Sequence, residues 1–334
     1  MRPRVSVLMP TLNCDAHLRE TLASLGAQTL APGAVEHLAI DAGSRDDTLA
    51  MLAAAPRPVR VISAPGRNIY ASMNDGLAQA QGDVIAGLNA DDLFAPDALA
   101  RALETFDADA SVDMVVAHYE MFRDVRGARR AWRYDTDGRE LERIARGDFS
   151  RWFEIWVNPL AVFFRRGLLE RMGGFRTDAP LVGDWDLWFR LAASAVPVRV
   201  AHTGRVAGSF RMHAGSLTAS ADPTRLFRDK LFVMGRFAGD PGVPAGVRRS
   251  ALRMYRHDAL GLAAHEASTL SFPQSAAHVV RAALDTRSRG SRWARDLTSG
   301  LPTLTYEALS RVPGVRRLTS RAWAWSGGPR EASG

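Results

Sequence analysis

Four short polar or acidic clusters stand out in this chain of 334 residues. They are Pro10-Thr11-Leu12-Asn13, Asp41-Ala42-Gly43-Ser44, Asn89-Ala90-Asp91-Asp92 and Asp184-Trp185-Asp186. Neighbouring carboxylates are the groups that hold hard divalent cations or pass a proton as acid and base. Each cluster also has a plain structural reading. Asp-Ala-Gly-Ser is a turn composition, and Asp91-Asp92 precedes a helix that Pro96 opens. Asp184 and Asp186 fall in the first turn of a helix, where the dipole stabilises a carboxylate by ~0.3–1 kcal/mol. Position in the fold must decide.

Three clusters follow runs that read as strands. Residues 5–9 and 35–40 are apolar runs of the kind buried on both faces of a parallel sheet, and 84–88 is another. Residues 59–63, 112–118 and 160–164 add three more. Between them, 16–25, 47–54, 69–80 and 96–106 carry helical spacing, with Leu18, Leu22 and Leu25 on one face. Gly82 is expected to be the C′ glycine after 69–80. A helix is expected at 167–172 and another from 184. Strands alternating with helices predict an α/β fold with a mostly parallel, doubly wound sheet. Ligands on such sheets bind beyond the carboxyl ends of the strands. Polar residues at three of those ends exceed what core packing requires.

Composition excludes several classes. Apolar residues are 46% and charged residues 24%, ordinary for a folded chain. The single cysteine, Cys14, rules out a disulfide framework or a multi-cysteine zinc site, and reads as a small filler. No apolar run approaches the ~18 residues of a membrane span. Arg2 and Arg4 precede an apolar stretch too short and polar for a signal peptide, so a cytoplasmic location is expected. Neither Gly-x-Gly-x-x-Gly nor a Walker A loop follows the first strand, against dinucleotide and P-loop sites.

Taken together and in order, the motifs resemble glycosyltransferase family 2, the nucleotide-sugar enzymes of the GT-A fold. The resemblance rests on Val5 to Asn13, Ala39 to Thr48, and Ile69 to Leu77 with Gly82-Asp83 and Leu88 to Asp92. It extends to Gly173-Gly174-Phe175 with Asp184 to Trp188, and spans about residues 4–215. It implies a Rossmann-like, mostly parallel central sheet with flanking helices, followed here by a C-terminal helical region.

What the resemblance implies for the residues is specific. Pro10, Thr11 and Asn13 shape the nucleotide loop. Asp41 accepts a hydrogen bond from the base imide, Arg67 reaches a phosphate, and Asp91 meets the ribose or a metal-bound water. Asp92 is the expected direct ligand of Mg²⁺ or Mn²⁺, with His213 completing the site. Asp184 is the expected base of a single inverting displacement; Asp186 is either the alternative base or a residue that orients a neighbour or bonds backbone. Trp185 and Trp188 are candidates to stack on sugar, Trp188 being better explained by core packing. The family's usual aspartate and lysine are replaced by Ala71 and Asp75, so donor identity does not carry over. A UDP-sugar is the first choice, with dTDP- and GDP-sugars open, and the acceptor is expected to be a glycan or lipid-linked intermediate of cell-surface polysaccharide.

The charge is concentrated late. Residues 1–215 hold 25 basic and 27 acidic side chains, whereas 216–334 hold 18 and 9. The chain is therefore read as a catalytic domain (1–215), a basic helical region (216–326) and a frayed tail (327–334). Helices are expected at 223–238, 244–267 and 273–284. Basic residues and tryptophans in 281–325 suit anionic lipid head groups, so peripheral contact with the inner face of the membrane is expected. No nucleic-acid reader motif accompanies the charge, and no nucleic-acid partner is expected. Two other readings stay open: a non-catalytic nucleotide- or sugar-binding scaffold, and a nucleotidyltransferase, which would want a glycine-rich phosphate loop after the first strand.

Overall fold

The computed structural model describes residues 2–125, 128–134 and 158–267. The chain divides into two compact units, 1–220 and 221–334. The expected helix at 273–284, the basic segment 281–325 and the tail 327–334 lie outside the described residues.

The first unit is built on one nine-stranded sheet. Its parallel half orders β3 (Val59–Ser63), β2 (Val35–Asp41), β1 (Val5–Thr11) and β4 (Val84–Gly87). Val5, Val7, Leu8 and Met9 are no more than 1% exposed, which is why β1 reads as a continuous apolar run. Helices α1 (Asp15–Gly26), α2 (Thr48–Ala53), α3 (Ile69–Gln79) and α4 (Ala98–Ala108) flank the sheet. Leu18, Leu22 and Leu25 are all buried, as their spacing requires.

The sheet then turns mixed. β8 (Val162–Arg165) runs antiparallel to β4, and β6 (Met114–Val125) antiparallel to β8. β9 (Val200–Arg211) runs parallel to β6 and closes on the short β5 (Leu93–Phe94). β7 (Ala128–Tyr134) forms a hairpin with β6. Two reversals return β6 and β9 to the direction of β1, β2 and β4. All five therefore end on the same edge of the sheet.

β9 and the extension of β6 to Val125 were not apparent in the sequence. Gly204 and Gly208 interrupt the β9 pattern, and Gly204 takes φ +66°. A Cβ at Gly208 would lie 2.2 Å from the Leu93 carbonyl oxygen, so only glycine lets β9 close on β5. The reading of Gly82 as a C′ glycine is corrected. α3 ends with Ala80 at φ −67°, and a Cβ on Gly82 would meet the Ser6 nitrogen at 2.6 Å. Gly82 serves close backbone approach to β1.

After β8 come α5 (Arg166–Arg171) and α6 (Gly183–Ala193), and a single turn, α7 (Leu217–Ser220), ends the unit. In the second unit α8 (Pro223–Gly239), capped by Asp222, packs on α9 (Ala245–Ala267). Gly261 allows the ring of Phe227 to approach α9, since a Cβ there would stand 2.8 Å from it. Among the described residues no helix is long and apolar enough to cross a membrane.

Candidate active site

The first two loops at this edge hold one another. Asn13 adopts φ +49°, a left-handed conformation that asparagine tolerates better than most residues. Its amide donates to Ser44 Oγ at 2.9 Å, and Arg45 N–H donates to Asn13 Oδ1 at 2.9 Å. Asp41 is buried and accepts four hydrogen bonds. Thr11 Oγ1 (3.2 Å) and Ser44 Oγ (2.5 Å) donate to Oδ1, and the amides of Gly43 and Ser44 (both 3.0 Å) to Oδ2. Burial raises the Asp41 pKa, but the Ser44, Gly43 and Thr11 donors outweigh it and the net direction is down. Asp41 thus builds the loop with its whole carboxylate.

Arg67 forms an ion pair with Asp75 at 2.9 Å. Both line an open groove of about 500 Å³ beyond the end of β3, together with Ser63, Pro65 and Gln79. The Asp75 that departs from the family pattern is therefore the partner of the expected phosphate contact. Cys14 is half-buried with its amide donating to Thr48, and burial pushes its thiol pKa up, away from reactivity.

The loop after β4 separates its two aspartates. Asp92 is 0% exposed and accepts from the Arg211 amide (2.9 Å) and the Asn89 side chain (3.1 Å). Burial first, then the Asp91 charge, pushes its pKa well up. Asp91 turns outward, about a quarter exposed, and its Oδ2 lies 2.8 Å from His213 Nε2. The His17 ring stands edge-on to His213 at 4.5 Å. Asp92, the expected direct metal ligand, is thus enclosed by protein partners here, whereas Asp91 with His213 forms the accessible pair.

A third element brings in Asp184, at the start of α6. Three side chains of α3 and its cap reach across to the 174–184 segment. Asn68 caps α3 by accepting from Ala71 N–H (3.0 Å) and donates to the Thr177 carbonyl (2.8 Å). Asn74 grips Phe175 twice, donating to its carbonyl and accepting from its amide, both at 2.8 Å. Tyr70 donates to Asp184 Oδ1 at 2.7 Å. Gly174 and Gly183 make this possible. A Cβ at Gly174 would meet Asn74 Oδ1 at 2.5 Å, and one at Gly183 the Tyr70 ring at 2.6 Å. The surrounding protein desolvates Asp184 and raises its pKa, while the Tyr70 bond pulls the other way. A raised carboxylate is suited to accept a proton. The role of Asn68, Tyr70 and Asn74 was not read from the sequence, although all three lie in or beside a motif that marks the site.

Asp186 is different. It is 1% exposed, pairs with Arg190 at 2.5 Å, and through Arg190 ties down the carbonyls of Met172 and Gly174. Of the two expectations for Asp186, alternative base or residue orienting a neighbour, these contacts favour the second. Trp188 is buried and stacked on Phe164 at 6.0 Å, whereas Trp185 is partly exposed.

The fold agrees with the comparisons. The family model described as glycosyl transferase family 2 matches residues 6–172. The chain belongs to this family. It is 29% identical over 232 residues to a PGL/p-HBAD biosynthesis glycosyltransferase of Mycobacterium tuberculosis H37Rv, covering 68% of this chain and 84% of the relative. It is also 29% identical over 270 residues to an uncharacterized protein of M. tuberculosis CDC 1551, covering 75% and 80%. The fold is similar to that of S. aureus TarS 1–349 in complex with UDP-GlcNAc, with TM-score 0.61 and 16% identity, covering 97% of this chain and 88% of that one. It is likewise similar to the Pyrobaculum calidifontis mannosyltransferase PcManGT in complex with GDP-Man and Mn²⁺, with TM-score 0.56 and 21% identity, covering 97% and 85%. The protein is a family 2 glycosyltransferase with the GT-A fold.

Among the described residues no group of three or more His, Cys, Asp or Glu side chains is arranged to hold a metal ion. The pair that exists, one carboxylate and one imidazole, fits a cation that takes its other ligands from phosphate oxygens and water, as Mg²⁺ and Mn²⁺ do.

Proposed function

We propose that the chain transfers a sugar from a nucleotide-diphosphate donor to an acceptor hydroxyl, with inversion and with the help of Mg²⁺ or Mn²⁺. The observation that carries this reading is the accessible Asp91–His213 pair at 2.8 Å. Asp91 and His213 would hold the cation, which would supply Lewis-acid stabilisation of the charge developing on the leaving diphosphate. Asp92 is then a positioning residue behind Asp91.

Asp184 acts as general base. Its carboxylate takes the proton of the acceptor hydroxyl as that oxygen attacks the anomeric carbon, opposite the departing nucleotide. The anomeric C–O bond breaks, the electron pair leaves with the nucleoside diphosphate, and Asp184 later releases its proton to water. The Tyr70 phenol fixes the carboxylate's orientation, which a single displacement needs more than raw basicity. A loop shaped by Pro10, Thr11 and Asn13 would receive the nucleotide. Asp41 would meet a base N–H only in exchange for the Thr11 or Ser44 hydroxyl.

A UDP-sugar is the first-choice donor. The UDP-GlcNAc complex of TarS and the GDP-Man and Mn²⁺ complex of PcManGT support a nucleotide-sugar with a divalent cation and leave the base open. The mycobacterial relative named for PGL/p-HBAD biosynthesis favours a glycolipid or lipid-linked acceptor over a soluble one. We also propose the domain boundary near 215 and peripheral contact of the C-terminal region with anionic membrane. A panel of UDP-, dTDP- and GDP-sugars with Mn²⁺, Mg²⁺ or EDTA tests the reading, with NMR of the product's anomeric proton. Turnover of one nucleotide class that EDTA abolishes, with inverted anomeric configuration, is expected. Retention, or turnover indifferent to EDTA, would overturn it.

A further inference from the structure

Among the described residues Arg211 is the largest fully buried side chain, only 2% exposed, at the last position of β9. Burying a guanidinium costs several kcal/mol before its partners offset it, so ion pairing alone is a weak account of its presence. Its contacts are more informative. The backbone N–H donates to Asp92 Oδ1 at 2.9 Å, and Nε donates to the Asp91 carbonyl at 3.0 Å. Nη1 donates to Asp124 at 2.6 Å, and Nη2 lies 3.1 Å from Glu20 Oε1. The guanidinium stacks on the Phe122 ring at 4.5 Å, and Arg129 approaches the same ring at 4.3 Å. Arg129 also pairs with Glu20 at 2.6 Å and Asp124 at 3.5 Å.

These contacts come from four parts of the chain: Glu20 on α1, Asp91 and Asp92 after β4, Phe122 and Asp124 on β6, and Arg129 on β7. Two of the contacts, to Asp91 and Asp92, converge on one task. Asp91 and His213 lie 122 positions apart in sequence, yet their side chains must stay within 3 Å of each other. Arg211 stands two residues before His213 and grips both aspartates of the other loop. We propose that Arg211 is a positioning residue that sets the register between the Asp91 loop and the His213 segment, and so preorganises the cation pair. Glu20, Asp124 and Phe122 hold the guanidinium in the one orientation that reaches the Asp91 carbonyl. Lysine would keep the charge but lacks the planar fork that hydrogen-bonds the Asp91 carbonyl and Asp124 together while Nη2 stays in ion-pair range of Glu20. This inference rests on the metal-binding role proposed for Asp91 and His213.

The test is Mn²⁺ binding followed by EPR, alone and with UDP or GDP, in full-length wild type, Arg211→Lys, Glu20→Gln and His213→Ala. Thermal unfolding checks each fold, and pulsed EPR reads nitrogen coupling from a ligating imidazole. Wild type is expected to bind Mn²⁺ with nitrogen coupling that His213→Ala abolishes. Arg211→Lys is expected to bind at least about tenfold more weakly and to lose that coupling, the usual size of an outer-shell effect. Glu20→Gln, at the exposed end of the network, is expected to weaken binding by a few-fold. Folded Arg211→Lys with wild-type affinity and intact coupling overturns the inference while leaving the metal pair standing. If Arg211→Lys does not fold, unchanged affinity in Glu20→Gln overturns it instead. A wild type that binds no Mn²⁺ with or without nucleotide overturns the metal reading, and this inference with it.

Discussion

Tyr70 and Asp184 are 114 residues apart in sequence and meet through a 2.7 Å hydrogen bond from the phenol to Asp184 Oδ1. The bond joins the first turn of α3 to the first turn of α6. It places the proposed base on the sheet edge where β1, β2 and β4 end. Gly183 has no side chain to keep the Tyr70 ring away, so the contact is built into both sequences.

Replacing Tyr70 by Phe removes a donor that favours the ionised carboxylate. The Asp184 pKa then rises further, and the acid limb of the kcat/KM profile moves to higher pH. A hydrogen bond to a charged group is worth ~1.5–3 kcal/mol, so a loss of about 10- to 100-fold at neutral pH is expected. A pH–rate profile of the two proteins checks both. An acid limb that stays in place would separate Tyr70 from the base.

Gly173 and Gly174 both have φ near +73°, yet they differ in surroundings. A Cβ on Gly173 meets nothing within 4 Å, whereas on Gly174 it collides with the Asn74 side chain. Gly173→Ala is expected to cost ~1–2 kcal/mol, the left-handed strain alone. Gly174→Ala should cost more and also lower kcat, because the Asn74 grip on Phe175 is lost with it. Chemical unfolding and steady-state kinetics on the two variants distinguish these; equal effects would contradict the latch.

His37 and His202 titrate at about 4 in the folded protein. Burial is the main cause in both, with Arg57 assisting at His37 and His118 at His202. Both folded values lie below the ordinary 6.5, so below that pH the unfolded chain binds more protons. Their contribution to stability is complete above pH 6.5 and is lost as pH falls toward about 4. For His37, 4% exposed, the loss is on the order of 3 kcal/mol. Melting temperature measured from pH 7.5 to 4.5 should fall, and less steeply in His37→Gln.

Much of the scaffold was legible because its signals are local. β1, β2 and β4 are apolar runs ending in polar loops, and α1 and α3 carry their leucine and methionine spacing openly. Asp91 and Asp184 could be picked out by motif. What the sequence hid depends on contacts between distant segments. β9 carries two glycines whose purpose appears only against the Leu93 carbonyl. Without β9 there was no structural reason for His213 to face Asp91. The inward turn of Asp92 is set by the Arg211 amide, and the enclosure of Asp186 by Arg190. Neither partner is recognisable as such in a linear motif. The Asp75 departure likewise became intelligible only as the partner of Arg67.

The central claim is that Asp91 with His213, rather than Asp92, holds the cation that the donor diphosphate needs. Isothermal titration of the turned-over nucleotide, with Mn²⁺ and with EDTA, compares wild type, Asp91→Asn and Asp92→Asn most directly. The account predicts metal-dependent binding that Asp91→Asn weakens by about 100-fold or more, consistent with loss of a direct ligand. Asp92→Asn should keep it within about tenfold, as an outer-shell change does. Metal-dependent binding that survives Asp91→Asn and vanishes in folded Asp92→Asn would contradict it.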